Sequence, residues 1–129
     1  MDIGLSPQYI EKEPCIHHYI DKDFIQPLLK SRNKFSHKGD FGKVLLVAGS
    51  RGKMGAAVLA ARACLRAGAG LLTVYIPSCG LDILQTTVPE AMVLTDSNSG
   101  YLTDLPVDLS NFDTIAVGAG IGQHEDTLV

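Results

Sequence analysis

Apolar residues in this chain gather into short unbroken runs instead of alternating with polar ones. Residues 44–48, Val-Leu-Leu-Val-Ala, form the first such run. A run without polar alternation suits a strand buried on both faces. Residues 71–76, stopped by Pro77, predict a second strand. Residues 91–94, after Pro89, predict a third, and residues 114–117 a fourth buried one. Between the first two, residues 56–67 read as an alanine-rich helix. Arg62 and Arg66, four apart, share its solvent side, while Val58, Ala61 and Leu65 mark the side facing the sheet. Gly68 and Gly70 end it. A shorter helix is predicted within residues 81–87 and a turn at residues 97–100. Glu125 and Asp126 suit the first turn of a further helix.

The first 38 residues are of another kind. They are polar, carry Pro7, Pro14 and Pro27 and the pair His17-His18, and read as a linker plus a short helix around residues 23–29. Ile25, Leu28 and Leu29 would be its buried face, with Pro27 tolerated only near the first turn. Strand–helix–strand alternation from residue 43 onward implies an α/β fold with a mainly parallel sheet and right-handed crossovers. A sheet this apolar calls for helices on both faces, and the sequence supplies few. The chain therefore reads as part of a larger domain.

Composition narrows the partners. The chain has 129 residues, is 46% hydrophobic and carries a net charge of -3, so it can bury a core and is not disordered by composition. Mild acidity, with no basic stripe, argues against nucleic acid or an anionic membrane as partner. Cys15, Cys64 and Cys79 form no Cys-x-x-Cys pair and suit a reducing cytoplasm. Neither a signal peptide nor a membrane-spanning stretch is expected. His17-His18 lacks a third ligand at metal-site spacing, and His124 is isolated, so no metal site on protein ligands is expected. Cys64, inside the alanine-rich helix, is expected to pack and not to react.

Candidate chemistry centres on Gly49-Ser50-Arg51-Gly52-Lys53-Met54-Gly55, between a buried strand and a helix. Helix N-termini attract anions, and ligands gather at the carboxyl ends of parallel strands. A P-loop is excluded, because Met54 follows Gly52-Lys53 and Val47 stands where its first glycine belongs. A Rossmann-type dinucleotide-binding module using Gly49, Gly52 and Gly55 is the alternative. It wants an acidic residue after the second strand, and Ile76 is followed by Pro77-Ser78. A tight turn without a ligand also remains open.

A longer ordered set of motifs is more specific. Ser36-His37-Lys38-Gly39-Asp40-Phe41-Gly42-Lys43 leads into the first strand and Gly49-Ser50. Met54-Gly55-Ala56-Ala57, Arg66-Ala67-Gly68-Ala69-Gly70, Pro89-Glu90-Ala91-Met92 and Gly118-x-Gly120-x-Gly122 follow in order. Over about residues 35–122 the chain resembles the NAD(P)H-hydrate dehydratase family of the ribokinase-like superfamily. The resemblance implies the N-terminal half of a three-layer α/β/α domain. It implies a hydro-lyase that removes water from hydrated NADH or NADPH at the expense of ADP or ATP with Mg2+, through phosphorylation of the added hydroxyl. It also implies a homo-oligomer.

Carried over residue by residue, the resemblance gives Ala56, Ala57, Gly118 and Gly120 as substrate-lining positions that offer backbone access and shape. The family usually has Gly-Pro-Gly where this chain has Gly118-Ala119-Gly120. Its phosphate loop and catalytic aspartate lie in an Asn-x-x-Gly-Asp-like region that no segment here matches. The catalytic residues are therefore unassigned, Asp40 and Asp113 included, and the chain alone is expected not to turn over. His37-Lys38-Gly39 precedes the first strand and enters at the opposite end of the sheet, so it is read as structural, as is Pro89-Glu90. Asp2-Ile3-Gly4-Leu5 resembles the closing strand of an NAD(P)H-hydrate epimerase domain. That makes residues 1–14 the end of a preceding domain or a linker, and residues 15–129 the dehydratase portion.

Overall fold

The computed structural model describes residues 4–14, 16, 19–29 and 31–127. By contacts the chain divides into residues 1–34 and residues 35–129. Cys15, His17 and His18, together with Asp2 and Ile3, lie outside the described residues.

The first unit holds two short helices, α1 (Pro7–Lys12) and α2 (Lys22–Ile25), the latter continued by a 3-10 turn, Gln26–Leu28. Pro7 opens α1, where a missing N–H costs nothing. So part of the expected linker is helical. Asp21 caps α2 by accepting the Phe24 N–H at 2.9 Å. The expected apolar face is corrected here: Ile25, Leu28 and Leu29 are 38%, 63% and 70% exposed. A helix of one or two turns offers too little length to bury a stripe.

The second unit is a four-stranded sheet with α3 (Met54–Ala67) and α4 (Leu81–Thr87). Its strands are β1 (Lys43–Ala48), β2 (Leu71–Pro77), β3 (Met92–Asp96) and β4 (Thr114–Gly118). All pairings are parallel and the order is β3-β2-β1-β4. In register, Val47 lies between Tyr75 and Val117. The period of two sorts the central strands between two cores. Leu46, Ala48, Leu72, Val74 and Ile76 face Met54, Ala57, Val58 and Ala61 of α3 and Leu84 of α4. Leu45, Val47 and Tyr75 face the other way, under Leu102, with Leu105, Val107 and Phe112 packed beside them.

Helices therefore cover one face, and an irregular segment covers the centre of the other. β4 departs from the buried strand that its composition predicts: Ile115 is 42% and Val117 61% exposed. It is the edge of the sheet, and among the described residues neither of these side chains joins the packed clusters on its faces. Residues 125–127 form a turn, not the expected start of a helix.

The ends of the elements follow local chemistry. Gly68 takes φ 111° and returns its N–H to the Leu65 carbonyl, closing α3 as glycine at that position does. At the amino edge, His37 and Asp40 make a reciprocal cap: His37 Nδ1 accepts the Gly39 N–H, and Asp40 accepts the His37 N–H. Asp113 accepts the Lys43 N–H at 2.8 Å and ties the start of β1 to the segment entering β4. Among the described residues no helix is long and apolar enough to cross a membrane.

Candidate ligand-binding crevice

From β1 the chain proceeds through α3 to β2 and then to β3, all on one side; β4 returns to the other side of β1. The loops leaving β1 and β4 therefore part at a topological switch point, the place where open parallel sheets bind ligands. Here they also touch. Gly49 N–H donates to the Ala119 carbonyl at 3.1 Å, and the Ser50 hydroxyl donates to the Gly120 carbonyl at 2.7 Å.

Two glycines make that approach possible. Gly49 has φ 82°, and a Cβ there would stand 2.8 Å from the Met54 sulfur. Gly120 has φ 85°, and a Cβ there would stand 3.0 Å from the Ala56 Cβ and 3.1 Å from the Lys53 carbonyl oxygen. Both φ values lie in the region that side chains disfavour. Between them Ala119 is itself left-handed at φ 49°. Proline, fixed near −65°, cannot take that angle, so this loop follows a different backbone path from a Gly-Pro-Gly loop.

The start of α3 opens into the same place. Lys53 stands at its N-cap without a side-chain cap, and its side chain is exposed like that of Arg51. Uncapped N–H groups and two cations give this corner a positive field.

A third loop, residues 97–104, completes the surround. Its Gly100 carbonyl accepts the Arg51 N–H at 2.7 Å. Tyr101 stacks on His124, with ring centroids 3.8 Å apart and planes 11° from parallel. His124 and the Tyr101 hydroxyl both approach Asp126, at 3.5 Å. His124, isolated in sequence, thus joins the third loop to the one after β4. The third loop is organised by Asp96, the buried last residue of β3. Burial pushes its carboxyl up, but the N–H groups of Asn98, Thr103 and Asp104 and the Thr103 hydroxyl outweigh that and hold it at about 2. Burial, and then the Asp96 charge that its hydroxyl touches at 3.2 Å, push Tyr75 to about 12.

The expected ligand-lining positions lie at this end of the sheet, but not equivalently. Ala56 and Gly120 meet, and both are half-buried. Gly118 ends β4 opposite Ala48, with open space where a Cβ would be. The Ala57 side chain is fully buried in the core between sheet and helix. Asp96 and Tyr101 were not singled out in sequence, and His124 was weighed there only as an isolated histidine without metal-site spacing. Asp96-Ser-Asn98-Ser-Gly100 did carry a signal, since Asp and Asn side chains bond the backbone two residues on.

A cavity of about 300 Å³ lies elsewhere, between Arg62 and Arg66 of α3 and the Thr87–Glu90 turn. It sits toward the amino edge, and Arg62 is engaged there with the Thr87 carbonyl at 3.0 Å. Cys64 is half-buried against the core, and burial pushes its thiol up.

The fold is a parallel α/β domain with a crevice between two glycine-bearing strand ends. The model of the NAD(P)H-hydrate dehydratase family matches residues 44–129, and the chain belongs to that family. The ADP-dependent (S)-NAD(P)H-hydrate dehydratase of Listeria monocytogenes is 45% identical over 94 residues, which are 73% of this chain and 33% of that protein. The bifunctional NAD(P)H-hydrate repair enzyme of Escherichia coli is 38% identical over 123 residues, 95% of this chain and 23% of that one. The crystal structure of the ADP/ATP-dependent NAD(P)H-hydrate dehydratase of Bacillus subtilis, co-crystallised with ATP/Mg2+, superposes with a TM-score of 0.66 at 30% identity. It covers 81% of this chain and 37% of that chain. A ribokinase-like superfamily protein from Enterococcus faecalis gives 0.69 at 31% identity, covering 84% and 37%. The chain thus spans about a third of the length of the dehydratases it matches, and less of the bifunctional enzyme.

Proposed function

We propose that this chain forms the hydrate-binding portion of a cytoplasmic, homo-oligomeric NAD(P)H-hydrate dehydratase. Such an enzyme removes water from hydrated NADH or NADPH using ADP or ATP. The observation that carries the reading is the pressing together of the two glycine loops, Ser50 on Gly120 and Ala56 beside Gly120. A surface built from backbone and small side chains lets a flat, highly oxygenated ligand approach main-chain N–H and C=O groups closely. In this reading Ala56, Gly118 and Gly120 line the ligand. Ala57 acts from beneath, by keeping α3 close to the sheet.

The nucleotide would supply the phosphoryl group that turns the added hydroxyl into a leaving group, and Mg2+ would offset the charge on its phosphates. Among the described residues no group of three or more His, Cys, Asp or Glu side chains could hold a metal ion, and Mg2+ in this reading would be carried largely by the nucleotide's phosphates. The chain's own part is binding, orientation and exclusion of water. The match of the bifunctional repair enzyme to 95% of the chain supports reading residues 1–14 as the end of, or linker from, a preceding epimerase domain.

The test is turnover of hydrated NADH, with ADP or ATP and Mg2+, by this chain and by a protein extended to the full length of its dehydratase relatives. Recovery of NADH absorbance by the extended protein alone is the expected result. A folded extended protein that stays inactive, yet binds intact NAD(P) tightly, would replace this reading with a Rossmann-type dinucleotide module. Against that alternative, β2 ends on Pro77 with no acidic residue at its tip.

A further inference from the structure

Asp96 uses its carboxylate more fully than any strand end needs. One oxygen accepts the Asn98 N–H at 2.7 Å, at the start of the third loop. The other accepts the N–H groups of Thr103 at 2.7 Å and Asp104 at 3.2 Å, at its end. The Thr103 hydroxyl lies 3.0 Å from the first oxygen, and the Tyr75 hydroxyl 3.2 Å from the second. One buried anion thus ties the loop into a ring by both ends. Inside the ring, the Asn98 side-chain oxygen accepts the Gly100 N–H at 2.8 Å and the Tyr101 N–H at 3.3 Å, and the second of these orients the peptide that carries the Gly100 carbonyl. The Gly100 carbonyl is the group that receives the Arg51 N–H at 2.7 Å, in the middle of the first glycine loop.

We infer that Asp96 is a positioning residue for the crevice: through Asn98 and Gly100 it fixes the backbone of Arg51, and with it the face that the first glycine loop offers to a ligand. Its effect on affinity rests on the crevice being the hydrated-NADH site. Asp96 itself touches no ligand. A carboxylate is required because every group around it is a donor; an amide in its place turns an NH2 toward one of those N–H groups.

The experiment compares this chain with its Asp96→Asn variant, and with Thr103→Val as a milder lesion. Amide exchange is read at Arg51 and at the β2 residues Val74 and Ile76, and affinity is read with hydrated NADH. Expected for Asp96→Asn is Arg51 exchange faster by about tenfold with β2 protection kept, and hydrated-NADH affinity weaker by about tenfold. Thr103→Val should move both the same way by less. Unchanged Arg51 exchange in a folded variant overturns the inference. So does loss of affinity with Arg51 still protected. If Asp96→Asn does not fold, Thr103→Val decides by the same criteria. A wild-type chain that fails to bind hydrated NADH sinks the substrate reading instead, and Arg51 exchange alone then decides for or against the coupling.

Discussion

The Ser50 hydroxyl donates to the Gly120 carbonyl at 2.7 Å across seventy residues of sequence. Ser50 is 7% exposed, so water is poorly placed to replace it. Ser50→Ala leaves that carbonyl short of a donor and should cost about 1–2 kcal/mol. Denaturant unfolding measures the loss. Faster amide exchange around Gly120 would place it at the crevice.

Gly120→Ala should be worse than its size suggests. It adds a Cβ at φ 85°, 3.0 Å from the Ala56 Cβ. Strain and overlap together should cost about 1–3 kcal/mol. Adding Ala56→Gly removes one of the crowded atoms but not the φ penalty. The double variant should therefore recover part of the loss in a thermal melt, and full additivity would contradict the contact.

Ala119 gives a sharper contrast. At φ 49° it pays the left-handed penalty. Ala119→Gly should be neutral or slightly stabilising, while Ala119→Pro should be destabilised by about 3 kcal/mol or more, since the ring excludes that φ. Equal melting temperatures for the two variants would mean that the loop has another conformation.

Acid should find Asp96. Burial opposes the charge, but the surrounding donors win and the folded carboxyl titrates at about 2, below its unfolded value. The stabilisation is full above about pH 4, amounts to about 2–3 kcal/mol, and disappears as pH falls through about 2. Unfolding free energies measured between pH 5 and 2 should fall more gently in Asp96→Asn than in the wild-type chain.

The strands and α3 were legible because their burial is written into composition: residues 44–48 are apolar without interruption and residues 71–76 nearly so, with Thr73 the one clearly polar residue, and both lie inside the sheet. The same rule misread residues 114–117. Apolar composition reports what a strand can bury, and β4 stands at the edge in this chain. Ile25, Leu28 and Leu29 failed likewise, because periodicity over seven residues cannot say whether a surface waits to receive it. Of the crevice, the glycines were visible through their positions at strand ends. Asp96 and the Tyr101–His124 stack were not, since each depends on loops that only the folded sheet brings together.

The parallel pairing of β1 also bears on how the protein acquires its site. β1 meets β2 across 28 residues (Lys43 to Leu71) and β4 across 70 (Val44 to Thr114). Closing the longer span costs only about 0.5–1 kcal/mol more in chain entropy. But β1, α3 and β2 can assemble around their shared core before β4 arrives, whereas β4 has little packing of its own to hold it. The contact between Ser50 and Gly120 should then be among the last to form in folding and among the first to open, an order that amide exchange at Gly49 would test. The crevice would breathe with the docking of one strand while the rest of the sheet stays intact.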